Sequence, residues 1–440
     1  MGSAVSAKRI QRNVAVSVAA QAISLAVGFL LNLVVPKYID ETDYSLWQAF
    51  LLYLGYVGIL HFGLLDGLML RYSQNDYEEL DKERMRSQFQ TLLCMLLLFC
   101  GVGLLVSCFL DNQAARWIVV YVSLGIVTKN LFTYNSYLLQ LTNRIRHYAS
   151  LTIAQRVSYG LVVVLLLALG KMDFRWFCVA DLLGDVVGCL YCVNKNRGLF
   201  FGKVHDRSLF RDETWANIRC GVSLLIANWA SMFLVGSARM VCQWRWDIVL
   251  FGKVSFAFSM TNLVLSLVAA VSIAVFPSLK RMPQKDLPVF YRKVRRLLVP
   301  FLLVFVWLYF PACKLLEMWL PLYAGSLKYL GLLMPLIVYS SIIDLLTNNY
   351  LKAYRMETTL RTINLVTLAV GFTGFLLFAY VLDSVTMVVL WAVFVTAVRS
   401  IVSEYYVERV LHLNLLKEHV LEFAVMTVFV ICTCFYHNML

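Results

Sequence analysis

The chain has 440 residues, of which 60% are hydrophobic and 15% are charged. No soluble core of this length is so apolar throughout, so the composition excludes an ordinary globular protein and predicts an all-α polytopic membrane protein. The formal net charge of +13 would suit nucleic acid, but the basic residues stand between apolar segments. Membrane topology explains that pattern better, and we expect no nucleic-acid partner.

The apolar segments follow one another along the whole chain. Windows of about 19 residues predict spans at 13–35, 45–70, 89–110, 117–140, 150–169, 176–193, 217–237, 247–278, 297–317, 328–352, 360–381 and 385–408, and a further apolar stretch at 420–436. This last stretch either crosses the membrane or packs as a partial or interfacial helix.

Most lysines and arginines fall in alternate loops, on the side where a cytoplasmic N-terminus would place them. The richest of these inner loops are 194–219 and 280–296, which mix basic with aromatic residues as interfacial segments on an anionic leaflet do. The outer loops are short, the longest lying near Ser237 to Trp246. The charge asymmetry therefore predicts an N-terminus in the cytoplasm.

The second span carries polar groups that a simple anchor does not need. If residues 42–72 form one helix, a single face of that helix carries Tyr53, Tyr56, Gly63 and Gly67. Asp66 lies at the edge of this face. The glycines alone would suit close helix packing. Asp66 is either an ion-coupling or gating group, or part of a salt bridge near Arg71 at the inner mouth.

A cation and a pair of carboxylates stand out in the fourth and sixth spans. Lys129 lies near mid-span in a narrow polar stripe, so it is a candidate for binding an anionic substrate. Asp181 and Asp185 are spaced i, i+4 on one helical face, where they can titrate or hold a cation. The alternative is an ion pair with Lys129 or with Arg156 of the fifth span, and both readings stay open.

Further polar positions lie in the second half of the chain. Asp344 and Asn348 belong to a polar face of the tenth span and are candidates for ion coupling or gating. Arg399, with Arg156, lies toward the cytoplasmic half, where a lipid headgroup would first be met. Lys253 is a weaker substrate-binding candidate because it can snorkel to the outer end of its helix.

The two halves of the chain resemble each other where they begin. The first half begins with RNVAVSVAAQAISLAVGF and the second with RCGVSLLIANWASMFLVG. We predict two six-helix lobes around a central cavity, at 1–205 and 206–412, with an additional hydrophobic helix at 413–440. The sequence carries no nucleotide-binding glycine loop, zinc-protease motif or hydrolase nucleophile elbow. We therefore expect a transporter rather than an enzyme, with no cofactor and no metal.

Three segments carry a family resemblance: RNVAVSVAAQAISLAVGFLLNLVVPKYI, YSLWQAFLLYLGYVGILHFGLLDGLMLRY and VAAVSIAVFPSLKRM. They resemble the polysaccharide branch of the multidrug/oligosaccharidyl-lipid/polysaccharide (MOP) exporter superfamily, and within it the bacterial O-antigen or capsule repeat-unit flippases of the Wzx type. The likeness covers roughly residues 8–410, and its most specific piece is FGLLDGLMLRY.

The resemblance implies a twelve-helix core in the bacterial cytoplasmic membrane that works by alternating access. Its implied cargo is a polyprenyl-pyrophosphate-linked oligosaccharide, moved with a H+ or Na+ gradient among membrane lipids and alongside polysaccharide polymerase machinery. Cavity-lining cations bind the cargo in such proteins, and Lys129, Arg156 and Arg399 could do so here. A multidrug or toxin efflux antiporter of the same fold and an integral-membrane glycan polymerase are the alternatives.

Overall fold

The computed structural model describes residues 2–73, 77–354 and 356–439, and the side chains of 2–15 and 269–281 lie outside that description. The described residues form helices and no strands, as the composition predicts. In chain order the helices are α1 Gly2–Phe29, α2 Val35–Tyr38, α3 Glu41–Leu54, α4 Leu64–Tyr72, α5 Lys82–Cys108, α6 Gln113–Leu141, α7 Ile145–Ala168, α8 Phe174–Lys195, α9 Arg197–Phe200, α10 Thr214–Arg245, α11 Ile248–Arg281, α12 Leu287–Trp307, α13 Tyr309–Trp319, α14 Ala324–Ser341, α15 Asn348–Ala353, α16 Glu357–Tyr380, α17 Val385–Leu411 and α18 Leu416–Tyr436.

Short polar residues start the helices where the apolar runs begin. Asp40, Asp81, Asn112, Asp173 and Ser384 each accept a hydrogen bond from a backbone N–H in the first turn of α3, α5, α6, α8 and α17. Such caps satisfy donors that a helix leaves free at its N-terminus. The remaining backbone groups pair inside the helices, as a lipid environment requires.

Among the described residues, eleven helices are long and apolar enough to cross a membrane, α18 among them. Two further helix pairs satisfy the same criteria together but are bent: the segment Glu41–His61 with α4 by 60°, and Gln284–Trp307 with α13 by 46°. The predicted single helix over 42–72 is therefore wrong. The predicted outer loop near Ser237 to Trp246 is also wrong, because α10 continues to Arg245.

The chain divides into two compact units. One takes in the chain up to Leu31 together with Tyr38–Trp229, and the other takes in Asn32–Lys37 together with the chain from Ala230 onward. The change from one unit to the other therefore falls within α10, whereas the sequence places it at 205/206. The division into six plus six helices stays a prediction.

Each unit is a bundle with its own core. In the first, α6 packs against α3, α5 and α8, while α7 packs against α1 and α8. Trp47 and Phe177 meet in this core with ring centroids 5.4 Å apart. In the second unit α14 is the central helix, because it packs against α11, α12, α17 and α18 and is buried along nearly all of its length.

Candidate functional site

Lys129 forms the centre of a charged cluster inside the first unit. Its Nζ lies 3.2 Å from Oδ2 of Asp185 and 3.7 Å from Oδ2 of Asp181. Gln155 of α7 donates from Nε2 to Oδ1 of Asp185 over 3.2 Å. Three helices, α6, α7 and α8, thus supply one ammonium, two carboxylates and one amide to the same spot.

Exposure differs sharply among these groups. The Asp185 side chain is fully buried and that of Asp181 is 6% exposed, whereas 35% of the Lys129 side chain is accessible. The cluster therefore keeps its carboxylates buried, while the Lys129 side chain stays partly accessible. With both carboxylates ionised the cluster carries one negative charge in excess, so it has the capacity to take up a proton or a small cation.

Of the two sequence interpretations of Asp181 and Asp185, the ion pair with Lys129 is the arrangement that the structure contains. Oδ2 of Asp181 accepts no hydrogen bond from the residues that the structure describes. Arg156 is half-buried on α7 and is not joined to either carboxylate by an ion pair. Gln155 was missed, although a glutamine inside an apolar helix, next to Arg156, is the signal that could have found it.

The polar stripe around Lys129 is only partly open. Gly125 is buried against Leu54, since a Cβ added at Gly125 would lie 2.2 Å from Leu54 Cδ1. Ser136 is also buried, and the hydroxyl of Thr133 donates a hydrogen bond to the backbone carbonyl of Lys129. Residues of the predicted stripe on both sides of Lys129 along α6 are therefore packed against protein.

The bent second segment places His61 and Asp66 on either side of its break. A 3-10 turn, Val57–His61, leads into Phe62 and Gly63, which both have left-handed backbone conformations (φ 50° and 86°), and α4 follows. Nδ1 of His61 accepts from the N–H of Gly63 over 3.1 Å, so the proton of a neutral ring sits on Nε2. That Nε2 faces Oδ2 of buried Asp66 at 3.9 Å, too far for a direct hydrogen bond.

The salt bridge that was expected for Asp66 at the inner mouth is formed by other residues. Arg71 contacts Oε1 of Glu213 at 2.7 Å and Oδ1 of Asn217 at 2.6 Å, and Tyr72 also donates to Glu213. Sequence reasoning missed Glu213 and Asn217, because partners more than a hundred residues apart leave no local signal. This network ties α4 to the start of α10.

In the second unit, Asp344 and Asn348 lie together while Lys253 lies on a different helix. Asp344 belongs to a π-helical segment, Ile342–Thr347, an irregularity frequently found at functional sites. Asn348 donates to Asp344 over 3.3 Å. Lys253 is half-buried on α11, with its Nζ close to Gly325.

Arg399 is a deeply buried cation of the second unit. It is 5% exposed, and its Nη2 donates to Oγ of Ser231 over 2.8 Å. Its Nε has no hydrogen-bond acceptor among the described residues, and Asp344 is the carboxylate that acts on it electrostatically. Sequence reasoning missed Arg239 of α10, whose Nε donates to Oγ of Ser255 on α11 over 3.2 Å.

No known family profile matches the sequence, and no curated protein matches it significantly. Solved structures do resemble it. An inward-facing multidrug resistance MATE family transporter of the MOP superfamily superposes with a TM-score of 0.66 at 13% identity, over 89% of this chain and 98% of that one. The lipid II flippase MurJ, in an inward closed conformation, gives 0.64 at 13% identity over 96% and 99%.

A third solved structure is a MOP superfamily transporter from Pyrococcus furiosus, described by a reversed polarity of its binding pocket. It gives a TM-score of 0.56 at 13% identity, over 91% of this chain and 95% of that one. At sequence identities this low, the similarity shows the fold alone. The chain therefore has the fold of a MOP superfamily transporter, with many apolar helices and charged groups buried among them.

Proposed function

We propose that the protein is a flippase that moves a polyprenyl-pyrophosphate-linked oligosaccharide across the bacterial cytoplasmic membrane by alternating access, for surface polysaccharide synthesis. The likeness to a lipid II flippase supports a lipid-linked cargo. A charged, hydroxylated headgroup cannot cross hydrocarbon unaided, because burying such groups without partners costs many kcal/mol. The protein's task is to supply those partners.

The observation that carries the proposal is the Lys129 side chain, which stays 35% exposed while its ammonium pairs with two buried carboxylates. Once a proton or small cation neutralises the excess negative charge of Asp181 and Asp185, this ammonium can pair with an anion such as pyrophosphate, and the low-dielectric surrounding strengthens that attraction. We assign Lys129 and Arg156 to headgroup binding in the first unit and Arg399 in the second. Lys253 is a weaker member of the same group.

Energy for the cycle would come from a H+ or Na+ gradient. The excess negative charge of the Asp181 and Asp185 pair suits the coupling ion, and Asp66, Asp344 and Asn348 are further candidates for coupling or gating. Flipping by reconstituted protein that stays unchanged when both gradients are collapsed would contradict this part of the proposal and leave the cargo assignment standing.

Flipping of a fluorescent polyprenyl-pyrophosphate saccharide in vesicles tests the role of Lys129. Lys129→Ala removes a charge-assisted hydrogen bond worth about 1.5–3 kcal/mol, so we expect transport to fall about 10- to 100-fold. The exposed Lys171, in the turn between α7 and α8, gives the matched control Lys171→Ala, which should keep full activity.

A charge-balanced double variant separates the ammonium from its carboxylate. Lys129→Ala with Asp185→Asn removes one charge of each sign and keeps the net charge of the cluster at the wild-type value, so it should fold and still fail to transport. Full flipping by this folded double variant would remove Lys129 from the cargo site.

The second candidate is a multidrug or toxin efflux antiporter, which the similarity to a MATE transporter favours. Deletion of the gene separates the two functions. Loss of the flippase should leave lipid-linked saccharide on the inner leaflet, whereas loss of an antiporter should raise cellular retention of cationic dyes. A glycan polymerase, the remaining alternative, would instead leave single repeat units outside when deleted.

A further inference from the structure

The break in the second segment places a histidine opposite a carboxylate. His61 ends the 3-10 turn before the break, and Asp66 lies in the first turn of α4 after it. Both side chains are buried, with 7% and 6% of their surfaces exposed. Nε2 of His61 is 3.9 Å from Oδ2 of Asp66, and this oxygen accepts no hydrogen bond from the residues that the structure describes. A buried carboxylate oxygen therefore lies beside a polar group that does not bind it.

The backbone at the break fixes the protonation state of His61. Nδ1 accepts the N–H of Gly63, so its lone pair is occupied and the hydrogen of the neutral ring lies on Nε2. A second proton would have to sit on Nδ1, where it would face the N–H of Gly63, one donor against another. The ring therefore stays neutral while this hydrogen bond is intact, and it presents a permanent donor to Asp66. Of the two groups, only the carboxylate is left to take up a proton.

Among the described residues, no positive charge lies close enough to compensate an ionised Asp66. From α6 the titratable neighbour is Tyr137, and from α10 the backbone of Gly221 lies against Asp66 itself. From α5, Phe99 packs at the break. Arg71, further along α4, is held by the network at the start of α10. An ionised Asp66 would therefore be a buried charge without a close partner, which is unfavourable, and a proton removes that charge.

The same geometry distinguishes a proton from a metal cation. A hard cation such as Na+ needs several oxygen ligands around it. On the side of His61 it would meet the hydrogen on Nε2 instead of a lone pair, because the lone pair of the ring already accepts from Gly63. A proton needs only the one carboxylate oxygen that has no partner. The site is therefore built for H+ and not for Na+.

We propose that Asp66 binds a proton and that His61 is a positioning residue which responds to the charge of Asp66 across the break. Loss of the proton leaves a carboxylate that attracts the N–H of Nε2, and a charge-assisted hydrogen bond then closes the 3.9 Å gap. Uptake of the proton releases this contact, so one proton controls the two sides of the break. The use of this proton in transport rests on the flippase function proposed above, whereas its binding does not.

Infrared difference spectroscopy of the full chain in detergent tests the site, because a protonated carboxyl has a carbonyl stretch that a carboxylate lacks. Subtraction of the Asp66→Asn spectrum from that of the wild type should leave such a band at pH 5.5 and none at pH 8. Asp111→Asn is the control, since it changes an exposed carboxyl in the turn before α6, and it should match the wild type. Absence of the Asp66 band at pH 5.5, or its persistence at pH 8, would overturn the proposal.

Two variants of His61 test its part in the site. His61→Asn keeps an acceptor for the N–H of Gly63 but loses the donor toward Asp66, so the ionised carboxylate loses its partner. The Asp66 band should then persist to a pH about 1–2 units higher than in the wild type. His61→Gln places an amide N–H near the position of Nε2 and should titrate close to the wild type. An unchanged midpoint in His61→Asn would overturn the role of His61.

Sodium and transport supply the remaining outcomes. Added Na+ should leave the band at pH 5.5 unchanged, and its loss with Na+ but not with choline would assign the site to a metal cation and overturn the proposal. In vesicles, flipping by Asp66→Asn should no longer respond to an imposed pH gradient, and a preserved response would contradict the coupling role. If the wild type itself flips no polyprenyl-pyrophosphate saccharide, the proposed cargo fails, while the infrared band still reports the proton.

Discussion

Asp185 and Asp181 share one face of α8, but the fold holds them differently. Asp185 receives Lys129 at 3.2 Å and Gln155 at 3.2 Å with no exposed surface, whereas Asp181 meets Lys129 only at 3.7 Å. Both are carboxylates four residues apart in the same helix, so each serves as the other's control. Position alone separates a carboxylate with two close partners from one whose Oδ2 accepts no hydrogen bond among the described residues.

We predict that Asp185→Asn destabilises the protein more than Asp181→Asn does. The first change weakens two hydrogen bonds of a fully buried acceptor, which should cost about 1–3 kcal/mol; the second removes a longer ion pair. Thermal melting in detergent measures the difference. If Asp181 is the coupling carboxylate, Asp181→Asn should melt near the wild type yet flip cargo without responding to an imposed gradient. An equal loss of stability in both variants would contradict the distinction.

At the scale of the element, α4 is held against α10 by contact between backbones. A Cβ added at Gly67 would lie 1.9 Å from the carbonyl oxygen of Asn217, and one added at Gly221 would lie 2.0 Å from the carbonyl oxygen of Gly63. Backbone atoms cannot move aside as a side chain can. The glycines on the predicted face therefore allow close packing, and Arg71 with Glu213 ties the far end of the same contact.

Gly67→Ala should accordingly separate α4 from α10 and lower the melting temperature by several degrees, with a loss on the order of 1–3 kcal/mol from overpacking. Gly101→Ala is the matched control, since Gly101 sits in α5 with open space around its Cα. Alanine there should be neutral or stabilising by up to about 1 kcal/mol, because it favours a helix more than glycine does. A Gly67→Ala protein as stable as Gly101→Ala would mean that α4 and α10 are not packed this closely.

Hydropathy and charge spacing predicted much of this architecture but not its irregular parts. Each predicted span falls on helical residues, although those at 45–70 and 297–317 fall on bent pairs. The pairing of Lys129 with the two aspartates was one of two open interpretations. The break at Phe62 and Gly63 was not predicted, because a glycine-rich apolar run has the same sequence pattern whether its helix is straight or bent. Gln155 and Glu213 were missed because their roles depend on partners brought close only by the fold.

At the scale of the whole molecule, the number of membrane crossings fixes the side on which the C-terminus lies. If each bent pair crosses once, the described helices make thirteen crossings, and a cytoplasmic N-terminus puts the end of α18 outside. A bent pair that returns to its own side as a re-entrant loop would change that parity. The cytoplasmic N-terminus itself stays a prediction from the distribution of basic loops.

Reporter fusions test this count before and after α18. Alkaline phosphatase fused after residue 414 should be inactive and green fluorescent protein fused there should be bright, because that point follows an even number of crossings. Fused after residue 440, the two reporters should exchange their behaviour, since α18 adds one crossing.

Identical behaviour at both points would mean that α18 does not cross, and exchange in the opposite sense would mean that one bent pair is re-entrant or that the N-terminus lies outside. A fusion in the loop after α9, at residue 207, tests whether the second bent pair is the re-entrant one. Only the second bent pair follows residue 207, so a cytoplasmic reporter there assigns the re-entrant loop to Gln284–Trp307 with α13.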